Sequence, residues 1–277
     1  MCILLFDIGN TNLKVAVSRG PAAPATYALP SSDKQTADAI GLLLLDILRH
    51  QRLQPEEITA CIGASVVPGL ADLTAQAVQK YLGKRMLFAP EHVPIPLENN
   101  YARPHEVGAD RLVGAFAARR LYPQAPSIIC VDFGTATTFD CVAGNTYLGG
   151  LICPGVLSSM NALAANTAKL PRISLEVETT TPEPGRSTAT SLNHGFVFGF
   201  AAMAEGLCAK LSAGLPGPTC IVGTGGFSSA LTQVTTCFTS VHPDLLLEGL
   251  RLLYTETYGN APCPGNAGEP NTVHPHF

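Results

Sequence analysis

The chain has 277 residues, of which 46% are hydrophobic, and its 21 acidic and 17 basic residues give a net charge of -4 at pH 7. That length and hydrophobic content suffice for two domains, each with its own core. The charges form neither a basic stripe nor a long run of one sign, which argues against a nucleic-acid-binding protein.

The sequence indicates neither a membrane span nor a targeting segment. Two apolar runs, residues 2–6 and 39–48, are far shorter than the roughly 20 residues that a membrane-spanning helix needs. The nine cysteines include no C-x-x-C pair and lie mostly in apolar segments, which is typical of reduced thiols in a core. We therefore expect a cytoplasmic protein that binds no membrane, no nucleic acid and no metal through cysteine.

The first predicted element is a β-hairpin over residues 4–17, LLFDIGNTNLKVAV. Its first strand is continuously apolar, as expected of a strand that is buried on both faces. Small hydrogen-bonding residues replace the apolar run from Asp7 to Asn12. A turn of this kind presents backbone N–H groups and hydroxyls to an anion, so it predicts a phosphate-binding site.

The rest of the first half predicts an alternation of helices and strands. The Ala/Pro-rich residues 21–30 predict a loop. Residues 36–50 carry the i, i+3, i+4, i+7 apolar spacing of a helix. Residues 59–67 predict a strand that ends at Pro68-Gly69, followed by a helix and by a short strand over residues 86–88.

A polar, proline-rich segment occupies residues 90–110. Long irregular segments in a compact domain are uncommon unless they carry function. The sequence Gly108-Ala109-Asp110-Arg111 then opens a helix. An acid at a helix start also caps free N–H groups and complements the helix dipole, so capping is the plainer explanation for Asp110 in isolation.

A second hairpin, residues 128–142 (IICVDFGTATTFDCV), repeats the first one. Internal duplication determines the architecture, so it outweighs other signals. Two such hairpins that face each other across a cleft hold the ATP phosphates in the actin, hexokinase and Hsp70 class. The pattern therefore predicts an α/β protein with a duplicated actin-like (RNase H-like) ATPase fold. The matched positions are Asp7 with Asp132, Gly9 with Gly134 and Thr11 with Ala136.

We predict an N-terminal domain over residues 1–120, a C-terminal domain over residues 121–258 and a disordered tail over residues 259–277. The glycines of YLGGLICPG (residues 147–155) allow close approach to a ligand or another strand. Helices are expected over residues 158–168 and 191–211, and Gly195, Gly199 and Gly206 in the second helix predict tight helix packing. A strand at residues 219–223 runs into a glycine turn that would line the adenosine side of the cleft.

The chain to about Tyr258 resembles the type III pantothenate kinase family, which includes the Bvg accessory factor proteins. The motifs that carry the resemblance are DIGNTNLK, NYARPHEVGADR, VDFGTATTFD, YLGGLICPG and TAKLPRI. The resemblance implies ATP-dependent phosphorylation of the primary alcohol of pantothenate to 4′-phosphopantothenate, the first step of coenzyme A biosynthesis. It also implies a homodimer.

The resemblance further implies a role for each matched residue. Asp7 would lie close to Mg²⁺, Asp132 would hold a monovalent cation such as K⁺ or NH₄⁺, and Asp110 would be the proton acceptor. The ATP-binding residues would be Asp7, Ile8, Gly9, Asn10, Thr11, Asn12, Leu13, Lys14 and Thr135. The pantothenate-binding residues would be Tyr101, Gly108, Ala109, Asp110, Arg111 and Thr188.

These roles agree with what the chemistry requires. Phosphoryl transfer asks a protein mainly for positioning and charge neutralisation, which two hairpins and Mg²⁺ supply. Asp110 can accept the alcohol proton, and Arg111 can pair with the substrate carboxylate as a fixed fork. The plainer alternative for Arg111 is a surface salt bridge.

The segment before the long helix departs from the family pattern G-x-N-T-x-x-S-M-Q-S-G. Thr188, Ser191 and Gly195 keep the register. The replaced positions are Ser187, Leu192, Asn193 and His194. Family sites of this type are completed near a dimer interface. The four replacements could therefore change both the contact of Thr188 with the substrate and the association of two chains into a dimer.

Two alternatives remain open. The first is a catalytically inactive accessory or regulatory protein of the same fold, against which the intact Asp7, Asp110, Arg111 and Asp132 argue. The second is a kinase for another acceptor, such as a sugar or acetate, which the compact size and the GADR segment disfavour.

Overall fold

The computed structural model describes residues 1–20, 23–32, 34–167, 171, 174–177, 179–259 and 261. It divides the chain into two compact units, Met1–Ile95 with Leu250–Phe277, and Pro96–Gly249. The predicted disordered tail lies outside the described residues except for Gly259 and Ala261, and so does most of the TAKLPRI motif.

The first unit is built on a five-stranded sheet in the order β3-β2-β1-β4-β5. Its strands are β1 (Cys2–Ile8), β2 (Asn12–Arg19), β3 (Ala25–Pro30), β4 (Ala60–Ser65) and β5 (Met86–Phe88). β1 is antiparallel to β2 and parallel to β4. Every residue of β1 is buried except the half-buried Asp7, which confirms the expected strand with two covered faces.

Two helices, α1 (Ala37–His50) and α2 (Pro68–Leu82), pack against each other in this unit. Thr36 caps α1 by accepting a hydrogen bond from the N–H of Ala39, which explains why the helix begins where the apolar period begins. Gly83, with φ of 63°, ends α2 in the left-handed conformation that favours glycine. Both helices were predicted from their spacing.

The predicted loop over residues 21–30 is wrong in its second half. Residues 25–30 form β3, an edge strand that pairs antiparallel with β2. The alanines and prolines of this segment favoured a loop in the prediction. In the structure, Tyr27 and Leu29 of the segment pack on the core. Proline at the end of an edge strand is compatible with a sheet, because no further strand needs its missing N–H.

The second unit carries a six-stranded sheet in the order β11-β10-β7-β8-β9-β6. Its strands are β6 (Glu98–Asn99), β7 (Ser127–Phe133), β8 (Ala136–Ala143), β9 (Thr146–Pro154), β10 (Thr219–Thr224) and β11 (Ser240–Val241). The order β9-β8-β7-β10-β11 repeats that of the first sheet, with the same strand directions at each pairing. The duplication that the hairpins predicted is therefore confirmed at the level of whole sheets.

The remaining helices are α3 (Ala109–Leu121), α4 (Val156–Ala165), α5 (Thr188–Ser212), α6 (Ser228–Leu231) and α7 (Leu245–Tyr258). α3 packs on β7 and β8, so residues 96–120 group with the second sheet, whereas the sequence placed the domain boundary at residue 120.

Helix α5 differs from the prediction of tight packing around its glycines. Within the described part of the chain, a Cβ atom built on Gly195, Gly199 or Gly206 meets no neighbouring atom within 4 Å. This helix is also the one described helix that is long and apolar enough to cross a membrane, yet only 22% of its most apolar stretch is buried. α5 therefore presents an uncovered apolar face.

Candidate functional site

The first hairpin turn is closed and braced. The N–H of Gly9 donates to the carbonyl of Asn12 at 3.0 Å, and Ser31 donates from its hydroxyl to Gly9 O at 2.7 Å and from its N–H to Thr11 O at 2.9 Å. Asn10, Thr11 and Asn12 stay exposed at the tip. The turn thus offers polar groups to solvent on a fixed backbone, as a phosphate-binding turn requires.

At the base of this turn, Asp7 lies opposite Lys14 across β1 and β2. Both side chains are half-buried. A carboxylate and an ammonium group are therefore held beside the turn, and groups of these two types can bind a metal ion and a phosphate, respectively.

The second turn has the same closure but is one residue shorter. Gly134 N–H donates to Ala136 O at 3.1 Å, and Phe133 pairs with Thr137 as Ile8 pairs with Leu13. The matches of Asp7 with Asp132 and of Gly9 with Gly134 are confirmed. The match of Thr11 with Ala136 is wrong, because Ala136 takes the place of Asn12 in the register.

Thr135 lies exposed at the tip of the second turn, and α4 begins beside it. Its carbonyl accepts a hydrogen bond from the Ser158 hydroxyl at 2.7 Å. A Cβ atom on Gly155 would lie 2.1 Å from the same carbonyl oxygen. The Pro-Gly of YLGGLICPG therefore brings the helix start against the turn, a close approach that only glycine permits.

Asp132 lies half-buried at the end of β7, enclosed by two glycine turns. A Cβ atom on Gly134 would lie 3.6 Å from its Oδ1, and one on Gly225 would lie 2.3 Å from it. A carboxylate surrounded by backbone offers the hard oxygen ligands that K⁺ takes. Among the described residues, no three His, Cys, Asp or Glu side chains converge as they would in a transition-metal site.

Asp110 is the second residue of α3, whose N-cap is Gly108. Its Oδ1 accepts a hydrogen bond from the N–H of Arg111 at 2.8 Å, so the expected interaction with a helix-terminal N–H is present. Burial raises the pKa of Asp110, and the N–H and charge of Arg111 offset only part of that shift. A carboxylate with a raised pKa at a half-buried helix start is suited to accept a proton.

Arg111 forms a buried ion pair rather than a surface salt bridge. Its Nε donates to Oδ1 of Asp140 at 2.8 Å, and its Nη2 lies 2.6 Å from the same oxygen. The two side chains are only 10% and 3% exposed. Burial alone would lower the pKa of Arg111, but the charge and hydrogen bond of Asp140 outweigh it, so that the pKa is raised.

Asp140 has two further donors. The Tyr147 hydroxyl donates to Oδ1 at 2.8 Å and the Thr138 hydroxyl donates to Oδ2 at 3.1 Å. Burial raises the pKa of Asp140, while Arg111 and the two hydroxyls act against that shift by stabilising the carboxylate. We call Arg111, Thr138, Asp140 and Tyr147 the Arg111 cluster. Sequence reasoning missed its last three members, although an acid inside the apolar strand FDCV was a usable signal.

Tyr101 lies beside this cluster. Its ring centroid is 6.4 Å from that of Tyr147, and a Cβ atom on Gly149 would lie 3.1 Å from its Cδ2. A Cβ atom on Gly150 would lie 3.1 Å from Nη2 of Arg111. The glycine pair in YLGGLICPG thus makes room for both side chains, and the structure brings Tyr101, Asp110 and Arg111 together within one unit.

Thr188 is the exposed first residue of α5, and no hydrogen bond joins it to the Arg111 cluster among the described residues. The departures from the family pattern have local partners. Ser187 caps α5 through reciprocal hydrogen bonds with Thr190. His194 Nδ1 lies 2.8 Å from Glu183 O. Asn193 is buried, and its Oδ1 has no hydrogen-bond partner among the described residues.

Comparison with protein families identifies one match over most of the chain. The type III pantothenate kinase model matches residues 3–210. A type III pantothenate kinase from Nitratidesulfovibrio vulgaris (Miyazaki F) is 61% identical over 253 residues, which cover 91% of this chain and 97% of the relative. One from Oleidesulfovibrio alaskensis is 59% identical, covering 92% and 97%. One from Lawsonia intracellularis is 45% identical, covering 91% and 95%.

Solved structures agree on the fold. A Sinorhizobium meliloti protein provisionally named 2-dehydro-3-deoxygalactonokinase superposes with a TM-score of 0.56 at 14% identity, covering 95% of this chain and 99% of that one. A Campylobacter jejuni protein provisionally named a Baf family transcriptional activator gives 0.54 at 18% identity, covering 92% and 98%. These likenesses confirm the predicted α/β fold of the sugar kinase and actin class.

Proposed function

The chain belongs to the type III pantothenate kinase family, so it transfers a phosphoryl group from ATP to pantothenate, and we propose that Asp110 accepts the alcohol proton in that transfer. The observation that carries this role is the position of Asp110, half-buried at the start of α3 with a raised pKa and next to Arg111. A base with a raised pKa holds the proton more strongly as the new O–P bond forms.

The two hairpin turns bind ATP in this proposal. Backbone N–H groups between Gly9 and Asn12 and the side chain of Lys14 contact the phosphates, and Thr135 contacts ATP from the second turn. Asp7 holds Mg²⁺, and its carboxylate is the ligand type that this ion prefers. When bound, Mg²⁺ neutralises charge that develops on the phosphate oxygens.

Asp132 holds a monovalent cation, K⁺ or NH₄⁺. The support for this role is the close packing of two glycine turns, at Gly134 and Gly225, around the Asp132 carboxylate. At Gly225 there is no room for a side chain. The partial charge of backbone carbonyls and one carboxylate suit an ion of single charge.

Pantothenate binds beside the Arg111 cluster. Arg111 pairs with the substrate carboxylate, Tyr101 supplies an apolar wall, and Asp110 meets the alcohol end of the same molecule. Thr188 adds a contact from the start of α5. Arginine and a carboxylate form the fork-like pair that gives orientation as well as affinity.

We further propose that the enzyme is a cytoplasmic homodimer and that the uncovered face of α5 is its interface. A groove of about 320 Å³ follows this face, lined by Leu163, Phe196, Gly199, Phe200 and Met203 among others. Glycine on an exposed apolar helix face allows a second helix to approach closely. A second copy of the chain, rather than lipid, is the occupant that we assign to it.

ADP release by the purified full chain with ATP, Mg²⁺ and pantothenate tests the reaction and its cation requirement together. We expect release that depends on pantothenate and that is far faster in K⁺ buffer than in Na⁺ buffer. Equal rates in both buffers would contradict the cation site. No ADP release by a properly folded protein would instead support the accessory-protein alternative.

A further inference from the structure

We propose that Asp140 and Tyr147 are positioning residues for substrate recognition: they fix the Arg111 guanidinium so that its outer edge binds the carboxylate of the acceptor. This inference rests on the proposed role of Arg111 in pantothenate binding. Neither residue is assigned a role by the family motif as matched above. Both act through Arg111 rather than by touching the substrate.

The hydrogen-bond geometry supports a positioning role for Asp140 and Tyr147. Nε and Nη2 of Arg111 both approach one oxygen of Asp140, at 2.8 and 2.6 Å. The Tyr147 hydroxyl bonds to that same oxygen and the Thr138 hydroxyl bonds to the other one, so the carboxylate cannot rotate freely. A carboxylate fixed at both oxygens orients the guanidinium that it holds.

One donor of the guanidinium is left for a ligand. Nη2 of Arg111 is buried, and despite its short distance to Asp140 it makes no hydrogen bond of good geometry within the described part of the chain. A buried N–H that lacks a well-aligned acceptor is unfavourable, even where a carboxylate oxygen lies nearby. An incoming carboxylate that bonds to Nη1 and Nη2 together would supply that acceptor, which makes the cluster preorganised for an anionic acceptor.

The duplicated sheet provides an internal comparison. Asp140 pairs with Cys130 in the second hairpin as Ala16 pairs with Leu5 in the first. Ala16 is fully buried and apolar, so the hairpin fold does not itself require an acid at this position. A buried ion pair is also weak evidence for stability, because a well-packed apolar replacement is often as stable. A role in recognition explains why the second copy carries the acid.

The glycine pair of β9 supports the same arrangement. Gly150 lies directly opposite Asp140 in the sheet, and a Cβ atom there would press on Arg111 Nη2 at 3.1 Å. The ring of Tyr101, a predicted substrate contact, lies over Gly149. A Cβ atom on Gly150 would also lie 1.8 Å from the carbonyl oxygen of Phe139, so the glycine pair lets β9 pack closely on β8 and leaves room for the guanidinium of Arg111 and the ring of Tyr101 beside each other.

The test measures KM for pantothenate and for ATP in Tyr147→Phe, which deletes one hydroxyl oxygen from the cluster. We expect KM for pantothenate to rise about tenfold, the loss typical of one hydrogen bond to a charged group, with KM for ATP unchanged. Asp140→Asn keeps an acceptor oxygen but loses the charge, and we expect the same direction of change. Tyr254→Phe is the matched control, since Tyr254 is equally buried and its hydroxyl bonds to Ala261 O instead.

A double variant separates positioning from a merely structural role. In an Arg111→Gln background, Tyr147→Phe should cause no further rise in KM for pantothenate, because both changes disable one group. Wild type should also prefer pantothenate over its uncharged amide, and Tyr147→Phe should weaken that preference. An unchanged KM in folded Tyr147→Phe and Asp140→Asn, or an equal effect of Tyr147→Phe with and without Arg111, would overturn the inference. If Arg111→Gln itself leaves KM unchanged, the proposed substrate role of Arg111 fails as well.

Discussion

A Cβ atom on Gly225 would lie 2.3 Å from Oδ1 of Asp132. Asp132 lies near the end of β7, and Gly225 directly follows the neighbouring strand β10. Gly225 also has φ of +89°, a conformation that is strained for any other residue. The carboxylate that we assign to K⁺ therefore depends on the absence of a side chain at residue 225.

Gly225→Ala should displace Asp132 and weaken activation by K⁺. The added methyl group meets the carboxylate and the backbone of Phe133, so the turn or the side chain must move. We expect the K⁺ concentration for half-maximal ADP release to rise at least about tenfold, with some loss of thermal stability from backbone strain. Gly226→Ala is the control, because a Cβ there meets no atom of the described residues within 4 Å. Equal K⁺ dependence in the two variants would show that Asp132 is not the cation ligand.

The activity should fall as the pH is lowered, because Asp110 must be deprotonated to accept the alcohol proton. Burial raises the pKa of Asp110, so the acidic limb of kcat/KM for pantothenate should lie above the ordinary range of an aspartate. A pH profile between pH 4 and pH 8 measures it, with stability followed at each pH. An acidic limb at or below the ordinary aspartate pKa would contradict the assignment.

The same pKa shift predicts the stability of Asp110→Asn. A carboxyl whose pKa is raised in the folded state destabilises the fold when it is ionised, and this loss is absent below the unfolded pKa and complete above the folded one. Asp110→Asn should therefore have a Tm at pH 7 equal to or above that of wild type, with the difference vanishing in acid. A clearly lower Tm at pH 7 would indicate that ionised Asp110 stabilises the fold.

Gly199→Arg should dissociate the proposed dimer. Among the residues that the structure describes, none has an atom within 4 Å of a Cβ built at this position, so we expect the arginine to disturb a partner chain more than the fold of its own chain. Light scattering after gel filtration should give a monomer mass for this variant and a dimer mass for wild type. Gly69→Arg places the same change on an exposed glycine of α2 and should leave the mass unchanged. A dimeric Gly199→Arg would place the interface elsewhere.

Much of the fold follows from the sequence because its signals are local. Each of the two hairpins contains a buried strand, an acid and a glycine turn in the same order. All three features of one hairpin lie within about 15 consecutive residues. β3 escaped detection because pairing with β2, rather than composition, makes residues 25–30 a strand. Whether the α5 glycines are packed against a neighbour depends on which segment covers that helix. The spacing of glycines along the sequence carries no information about that.

The candidate site was predictable only where a motif named its residues. Asp110 and Arg111 are adjacent in a segment that the motif covers, whereas Asp140 reaches Arg111 across 29 residues through the packing of α3 on β8. That contact depends on tertiary structure. The acid between the buried residues Phe139 and Cys141 was nevertheless a sign, because a buried charge needs a partner.

The rate of ADP release by Asp110→Asn, with pantothenate, ATP, Mg²⁺ and K⁺, tests the account most directly. We expect a folded protein whose KM for ATP is close to that of wild type and whose kcat is lower by about 10² to 10⁴, the factor that a general base contributes. A kcat within a few-fold of wild type in folded Asp110→Asn would remove this residue from the mechanism and contradict the assignment of the site.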